Sequence, residues 1–342
     1  MSELVPSGSV VLDIEGQQRS LRTFPGLTGH AFQHPDDRNA SNALQGIPLF
    51  PQVFSMINGS YLDQKLRMEH LLYNLRLDSR QGAGLYAQFV TACRILDLPK
   101  IPELYLNRNP LVDAYSAGIN DPIVVLTQGC LTQLSDAERL AVIGHELGHI
   151  KCRHGFNKSL SFLLSTAGIS RLSGAFPVIG AAALYAINAA VSHWCRMAEF
   201  SCDRAAMLVV QDAQVVARVL SMMAGFNREV VPDFNLESLY SQLDDYNRYD
   251  ENAMQSLIKL QKVIVDAIDG TWYHPSPVLR IKRILDWGAS DHYHDLLSGN
   301  YEREAKPPSL PPALPGGRAC RSCGKPVATE SRFCSHCGSP QG

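Results

Sequence analysis

Three things are scarce in this sequence, and each scarcity excludes something. Charge of one sign is the first: 31 Lys and Arg stand against 33 Asp and Glu, a net charge of −2. A balance so near zero gives no general pull toward nucleic acid or acidic lipid, so no nucleic-acid partner is expected. A leader is the second. Residues 1–20 contain no basic run followed by an apolar one, so neither a secretory signal nor a transit peptide is expected, and the expected compartment is the cytosol. Dense cysteine is the third. Four of the nine cysteines form two tight pairs near the C-terminus, while Cys93, Cys130, Cys152, Cys195 and Cys202 are scattered singly. That is not the framework of a disulfide-stapled secreted domain, and the five single cysteines read as core residues.

The 342 residues, 45% of them hydrophobic, suffice for a sizeable core. No internal repeat is present. Residues 1–58 read as an irregular N-terminal extension, with a short strand at Val10-Val11-Leu12. Residues 59–305 carry the main domain, 306–317 a proline-rich linker, and 318–342 a separate small module. Within the main domain, Leu62, Leu66, Met68, Leu71, Leu72 and Leu75 recur at helical spacing, and a second helix is expected from about Gln81 to Leu96. Short β-like runs follow at 103–106, 113–117 and 123–126, with Gly118 to Pro122 as the turn of a hairpin. The expected fold class is α+β, mainly helical with a small β-sheet.

Residues 159–194 carry one charged side chain, Arg171, before His193. Leu172 to Trp194 is long enough to span a bilayer. Its Ala, Gly and Ser content, with Pro177 and Asn188, weakens that reading. A pair of buried helices is preferred, with peripheral membrane contact as the competing expectation.

Ser135-Asp136-Ala137-Glu138 opens a long helix with a capping box, and the helix carries Leu140, Val142, Ile143, Leu147 and Ile150 before fraying near Gly155. On it lies His145-Glu146-Leu147-Gly148-His149. Residues i and i+4 share a helical face, so the two imidazoles can chelate one ion, and Glu146 lies beside it, placed to take a proton from a bound water. The bland alternative is two surface histidines, which the flanking Leu, Ile, Val and Gly argue against. A catalytic zinc needs a third protein ligand. Cys152 and Gly155 stand where one metalloprotease variant needs glycine and histidine, and His154, five residues past His149, turns away from the metal face of a continuous helix. Glu199 and Asp203, i and i+4 on a later helix, are the better candidates: Glu199 to reach the zinc, Asp203 to accept a hydrogen bond from the far nitrogen of a ligand histidine. Alone, they could equally be a solvated acidic face. Cys202 lies between them on the wrong helical phase for the metal.

From about residue 60 to 290 the chain resembles the gluzincins of the HtpX and CAAX-prenyl-protease type. The resemblance rests on Ala114-Tyr115-Ser116-Ala117-Gly118, on residues 143–149, on Arg196 with residues 199–204, and on His274-Pro275-Ser276-Pro277 followed by Arg280-Ile281. It implies a zincin-like metallopeptidase domain, with His145, His149 and Glu199 as zinc ligands, Glu146 as base and Asp203 behind the ligands. It also implies an edge strand, Ala114, Tyr115, Ser116 and Ala117, along which a substrate backbone could add. The histidine matching His274 lies near the metal in relatives, where it could polarise the scissile carbonyl, stabilise the oxyanion or occupy the open zinc position. The plain alternative is a turn before a helix, with Arg280 in a structural ion pair.

In the last module, Cys320 and Cys323, and Cys334 and Cys337, form two Cys-x-x-Cys-Gly knuckles separated by ten residues. Four thiolates close a tetrahedral site, so this zinc would be structural. The module resembles a zinc ribbon. Arg318, Arg321, Lys325 and Arg332 are basic, but Phe333 is the only aromatic on which a base could stack, so protein docking is preferred over nucleic acid. The expected function is zinc-dependent endoproteolysis of protein or peptide substrates, with one catalytic and one structural Zn2+. The competing reading is a catalytically silent, chaperone-like binding protein recruited through its ribbon.

Overall fold

The computed structural model describes residues 9–14, 17–47, 59–167, 181–226, 235–250, 274–304, 318–319 and 326–327. It divides into two units, Met1–Arg303 and Glu304–Gly342. The first is mainly helical around a small mixed sheet, and so α+β. In the second, strands Arg318–Ala319 and Pro326–Val327 pair antiparallel. The linker, the four paired cysteines and the stretch 168–180 lie outside the described residues.

The sheet of the first unit has four strands: β3 (Leu75–Leu77), β4 (Glu103–Asn107), β5 (Ala114–Ala117) and β6 (Ile123–Thr127). Their spatial order is β3-β4-β6-β5. From β4 the chain crosses to the far edge as β5, then returns through a hairpin so that β6 slots between them. There β6 runs parallel to β4 and antiparallel to β5. Its sequence, IVVLT, is buried throughout, as suits a central strand covered on both faces. Among the described residues β5 pairs only with β6, which leaves it an edge of this sheet.

The expected extension at the N-terminus holds more regular structure than its weak periodicity suggested. A hairpin, β1 (Ser9–Ile14) and β2 (Gln17–Arg22), leads into a short turn of helix α1 (Gly29–Phe32) and then α2 (Pro35–Gln45). Phe24, Leu27 and Phe32 are buried in the main core, so this segment is part of the main body. α2 starts cleanly: the His34 ring accepts from the Asp36 amide, and Pro35 occupies the first turn.

Helix α3 (Gly59–Tyr73) forms where its leucine spacing placed one, but Met68, Leu71 and Leu72 of its apolar stripe are exposed. Met68 and Leu72 are 59% and 70% exposed. The buried side chains are Asp63 and His70. Asp63 accepts from the amides of Ile119, Asn120 and Asp121 at 2.7, 2.9 and 3.1 Å, and His70 Nε2 meets the Tyr115 hydroxyl at 2.9 Å. α3 therefore anchors the β5–β6 turn by polar contacts. Gly118, at φ +104°, gives that turn its left-handed step.

Helix α4 (Ala83–Ile95) and helix α5 (Gln128–Gln133) precede α6 (Asp136–Lys151), which carries the His-Glu-x-x-His run. The capping box is present: the Ser135 hydroxyl accepts from the Glu138 amide and the Glu138 carboxylate from the Ser135 amide. α6 ends at Lys151, short of the expected Gly155, and α7 (Gly155–Ala167) follows. The long helix α8 (Ala181–Val210) lies against α6. A Cβ on Gly144 would stand 2.9 Å from Val209 Cβ, and one on Gly148 2.7 Å from Ala205 Cβ. Bare glycines thus let α6 and α8 approach closely enough for side chains of both to share one site. α9 (Ala213–Met223), α10 (Leu236–Asp250), α11 (Pro277–Gly288) and α12 (Asp291–Ser298) complete the body. Among the described residues, no helix is long and apolar enough to cross a membrane.

Candidate metal centre

α6 supplies His145, Glu146 and His149; α8 supplies Glu199 and Asp203; the turn entering α11 supplies His274, and α11 itself Arg280. His145 Nε2 lies 3.3 Å from Glu199 Oε2, and His149 Nε2 lies 3.4 Å from Glu199 Oε1. Tetrahedral ligands bound at about 2.1 Å stand about 3.4 Å apart, so these separations suit a zinc ion. The imidazoles sit with centroids 5.2 Å apart, steeply inclined to one another. Both imidazoles of α6 therefore meet the carboxylate of the helix packed against its glycines, one at each oxygen.

The next layer holds these groups in place. Asp203 Oδ1 meets His145 Nδ1 at 3.1 Å. Arg280 grips Asp203 with both edges of its fork, Nε to Oδ2 at 2.9 Å and Nη2 to Oδ1 at 2.7 Å, and Nη2 also reaches Glu199 Oε2 at 3.3 Å. His274 Nδ1 is 2.8 Å from the same Glu199 oxygen, with its side chain 56% exposed. Burial opposes charge on Glu199, but His274, His145 and Arg280 hold its carboxyl well below the usual carboxylate range. Burial also works against His145⁺, yet Glu199 and Asp203 lift it to about 9 in the metal-free protein. His149 goes the other way: burial and the Lys158 charge push it well down, so it is neutral. Burial raises the Asp203 pKa, and Arg280 more than offsets this.

Glu146 is buried, and its Oε2 has no hydrogen-bond partner among the described residues. The Lys158 ammonium is 3.9 Å away and donates to Ser116 Oγ at 3.5 Å. A buried carboxylate oxygen that accepts no hydrogen bond among the described residues, beside two imidazoles, fits the neighbour of a metal and its water. The donor set of two neutral-capable imidazoles and a carboxylate fits zinc as well. The centre opens into a cleft of about 780 Å³. His145, Glu146, Glu199 and His274 line it, and of the strand Ala114, Tyr115, Ser116 and Ala117 only Ala114 is on its wall.

Cys202 also lies within reach of both histidines. Its sulfur contacts His154 Nδ1 at 3.7 Å, and that atom is 3.0 Å from His149 Nδ1. The thiol therefore sits behind the His149 ring, away from the Nε2 that meets Glu199. In the metal-free protein burial pushes its pKa well up.

His154 does not reach the metal position, but neither does it turn away: it hydrogen-bonds His149. The expectation assumed a helix continuing past residue 151. Instead Arg153 adopts φ +59°, and the Arg153 and His154 amides bond back to the Ile150 and His149 carbonyls, a Schellman ending that folds His154 under His149. Glycine usually marks such a reversal, and here arginine hides it. Asp37 and Lys158 carry no local pattern that would single them out.

Residues 82–288 match the family model for peptidase family M48, and residues 320–341 match a zinc-ribbon domain. The chain is 29% identical over 276 residues to the plastoglobule-localized metallopeptidase 48, chloroplastic, of Arabidopsis thaliana, covering 80% of this chain and 77% of that protein. It is 26% identical over 174 residues to protease HtpX homolog 2 of Methanosarcina mazei, covering 45% and 59%. To the protease HtpX homolog of Methanocaldococcus jannaschii it is 31% identical over 142 residues, covering 41% and 45%. No solved structure matches. With its family model spanning most of the helical body and all of the centre described above, this chain belongs to peptidase family M48 and also carries a zinc-ribbon domain.

Proposed function

We propose that the chain is a zinc-dependent endopeptidase that hydrolyses peptide bonds of protein substrates, with His145, His149 and Glu199 holding the metal. The observation that carries this is the pair of contacts from two Nε2 atoms to the two oxygens of one buried carboxylate. When bound there, zinc would supply a Lewis acid that acidifies a water and offsets charge on the substrate carbonyl oxygen. Glu146 is the base: its buried oxygen, which accepts no hydrogen bond among the described residues, accepts the proton of the attacking water, and the resulting acid returns it to the leaving amine. Asp203, fixed by Arg280, holds the Nδ1 proton of His145, so that Nε2 is the nitrogen that gives up its proton to the metal. His274, exposed and beside Glu199, can donate to the carbonyl oxygen as charge develops. The edge of β5, unpaired among the described residues, offers backbone groups to an extended substrate.

Cys320, Cys323, Cys334 and Cys337 hold a second, structural zinc, giving two per chain. The ribbon serves protein docking, since a near-neutral chain with one ribbon aromatic suits nucleic acid poorly. The test is Glu146→Gln. It should retain zinc and lose cleavage of an unfolded protein such as casein by at least about a hundredfold; a variant that still cleaves would refute the role of Glu146.

A further inference from the structure

Behind His149 lies a buried polar chain that runs into the N-terminal segment, beyond the residues that match the family model. His149 Nδ1 is 3.0 Å from His154 Nδ1, and His154 Nε2 is 3.1 Å from Asp37 Oδ2. Ser201 Oγ donates to the same Asp37 oxygen at 2.6 Å and Gln33 Nε2 donates to it at 2.9 Å. Asp37 is fully buried and His154 nearly so, with the Trp194 ring edge-on to His154 at 5.1 Å. Burial opposes charge on Asp37, yet His154, Ser201 and Gln33 hold its carboxyl below the usual range.

We propose that Asp37 and His154 are positioning residues that fix the tautomer of His149 and so set the affinity of the catalytic metal. Two ring nitrogens 3.0 Å apart can bond only if one carries hydrogen and the other a lone pair. A carboxylate beside His154 Nε2 can only accept, so that nitrogen carries hydrogen. In neutral His154 this leaves Nδ1 bare, and it accepts from Nδ1–H of His149. His149 is thereby left with a bare Nε2, the atom 3.4 Å from Glu199. The reverse arrangement, with hydrogen on His154 Nδ1, would place hydrogen on His149 Nε2 and block ligation. His145 gets the same service directly from Asp203; His149 gets it at one remove, through a second imidazole. The proposal rests on His149 being a ligand. It makes α2 and the turn after α6 part of the metal-holding apparatus, through side chains on three separate segments.

The test uses the full chain and zinc alone, with affinity for the exchangeable zinc read by chelator competition at fixed pH. His154→Phe keeps ring volume against Trp194 but removes both nitrogens. His154→Asn places an amide oxygen near the Nδ1 position, where it can accept from His149. Removing such outer partners typically costs 10–100-fold in metal affinity. His154→Phe and Asp37→Leu should lose about that much, whereas His154→Asn should stay within about threefold of wild type. Nitrogen-15 NMR of the zinc-loaded wild type should show hydrogen on His149 Nδ1 and on His154 Nε2. A folded His154→Phe chain with wild-type affinity would overturn the relay, as would His154→Asn and His154→Phe losing affinity equally, or hydrogen on His154 Nδ1 in the loaded protein. In each of those cases the endopeptidase reading stands if His149→Ala still abolishes zinc binding at the exchangeable site. If His149→Ala leaves that zinc bound, both readings fall.

Discussion

Arg280 and Asp203 form a two-pronged ion pair, 2.9 and 2.7 Å along its two arms, with both side chains almost wholly buried. The pair joins α11 to α8 directly behind His145. Two buried charges are costly to desolvate, and such a pair is kept for the geometry it imposes rather than for net stability. Here it aims one Asp203 oxygen at His145 Nδ1 and leaves a third contact of the guanidinium for Glu199.

Removing the cation should therefore be expensive. Arg280→Leu is expected to lower the unfolding free energy of the peptidase body by about 3 kcal/mol, because it strands Asp203. Arg280→Lys keeps the charge and loses the fork, so it should cost less stability but still weaken zinc binding. Denaturant midpoints and chelator competition check both. A leucine variant as stable as wild type would show that the pair does not organise the site.

Zinc uptake should release a proton. In the metal-free protein His145 is raised to about 9, while His149 is already neutral. At neutral pH the metal must displace the His145 proton. Apparent zinc affinity should rise about tenfold per pH unit near neutrality and level off above about 9. Calorimetry in buffers of different ionisation enthalpy counts the proton directly. A pH-independent affinity between 7 and 8.5 would contradict the coupling of His145 to Glu199 and Asp203.

The edge strand depends on Asp63. Its carboxylate accepts three backbone amides of the β5–β6 turn. Asp63→Ala leaves those donors without their acceptor, at a cost of about 1–3 kcal/mol. If β5 receives substrate, KM for protein cleavage should rise several-fold with zinc content unchanged. A change confined to kcat would argue against a substrate role for the strand.

The sequence made the centre legible wherever function and secondary structure share a period. His145, His149, Glu199 and Asp203 all stand at i,i+4 on helices, and the Ser135–Glu138 capping box fixed where α6 begins. It failed where polarity and burial part company. The polar Asp63 and His70 are the buried anchors of α3, while Met68, Leu71 and Leu72 are exposed. His154 was obscured because an arginine takes the left-handed position at the end of α6. Asp37 could not be found at all, since its partners come from distant segments that only the fold brings together.

The most direct measurement is anomalous scattering at the zinc edge from crystals of the fully metallated chain. A peak within about 2.1 Å of His145 Nε2, His149 Nε2 and a Glu199 oxygen is the expected result. A fully loaded crystal with no peak among these three side chains, or with the metal bound instead by Cys202, would contradict the assignment.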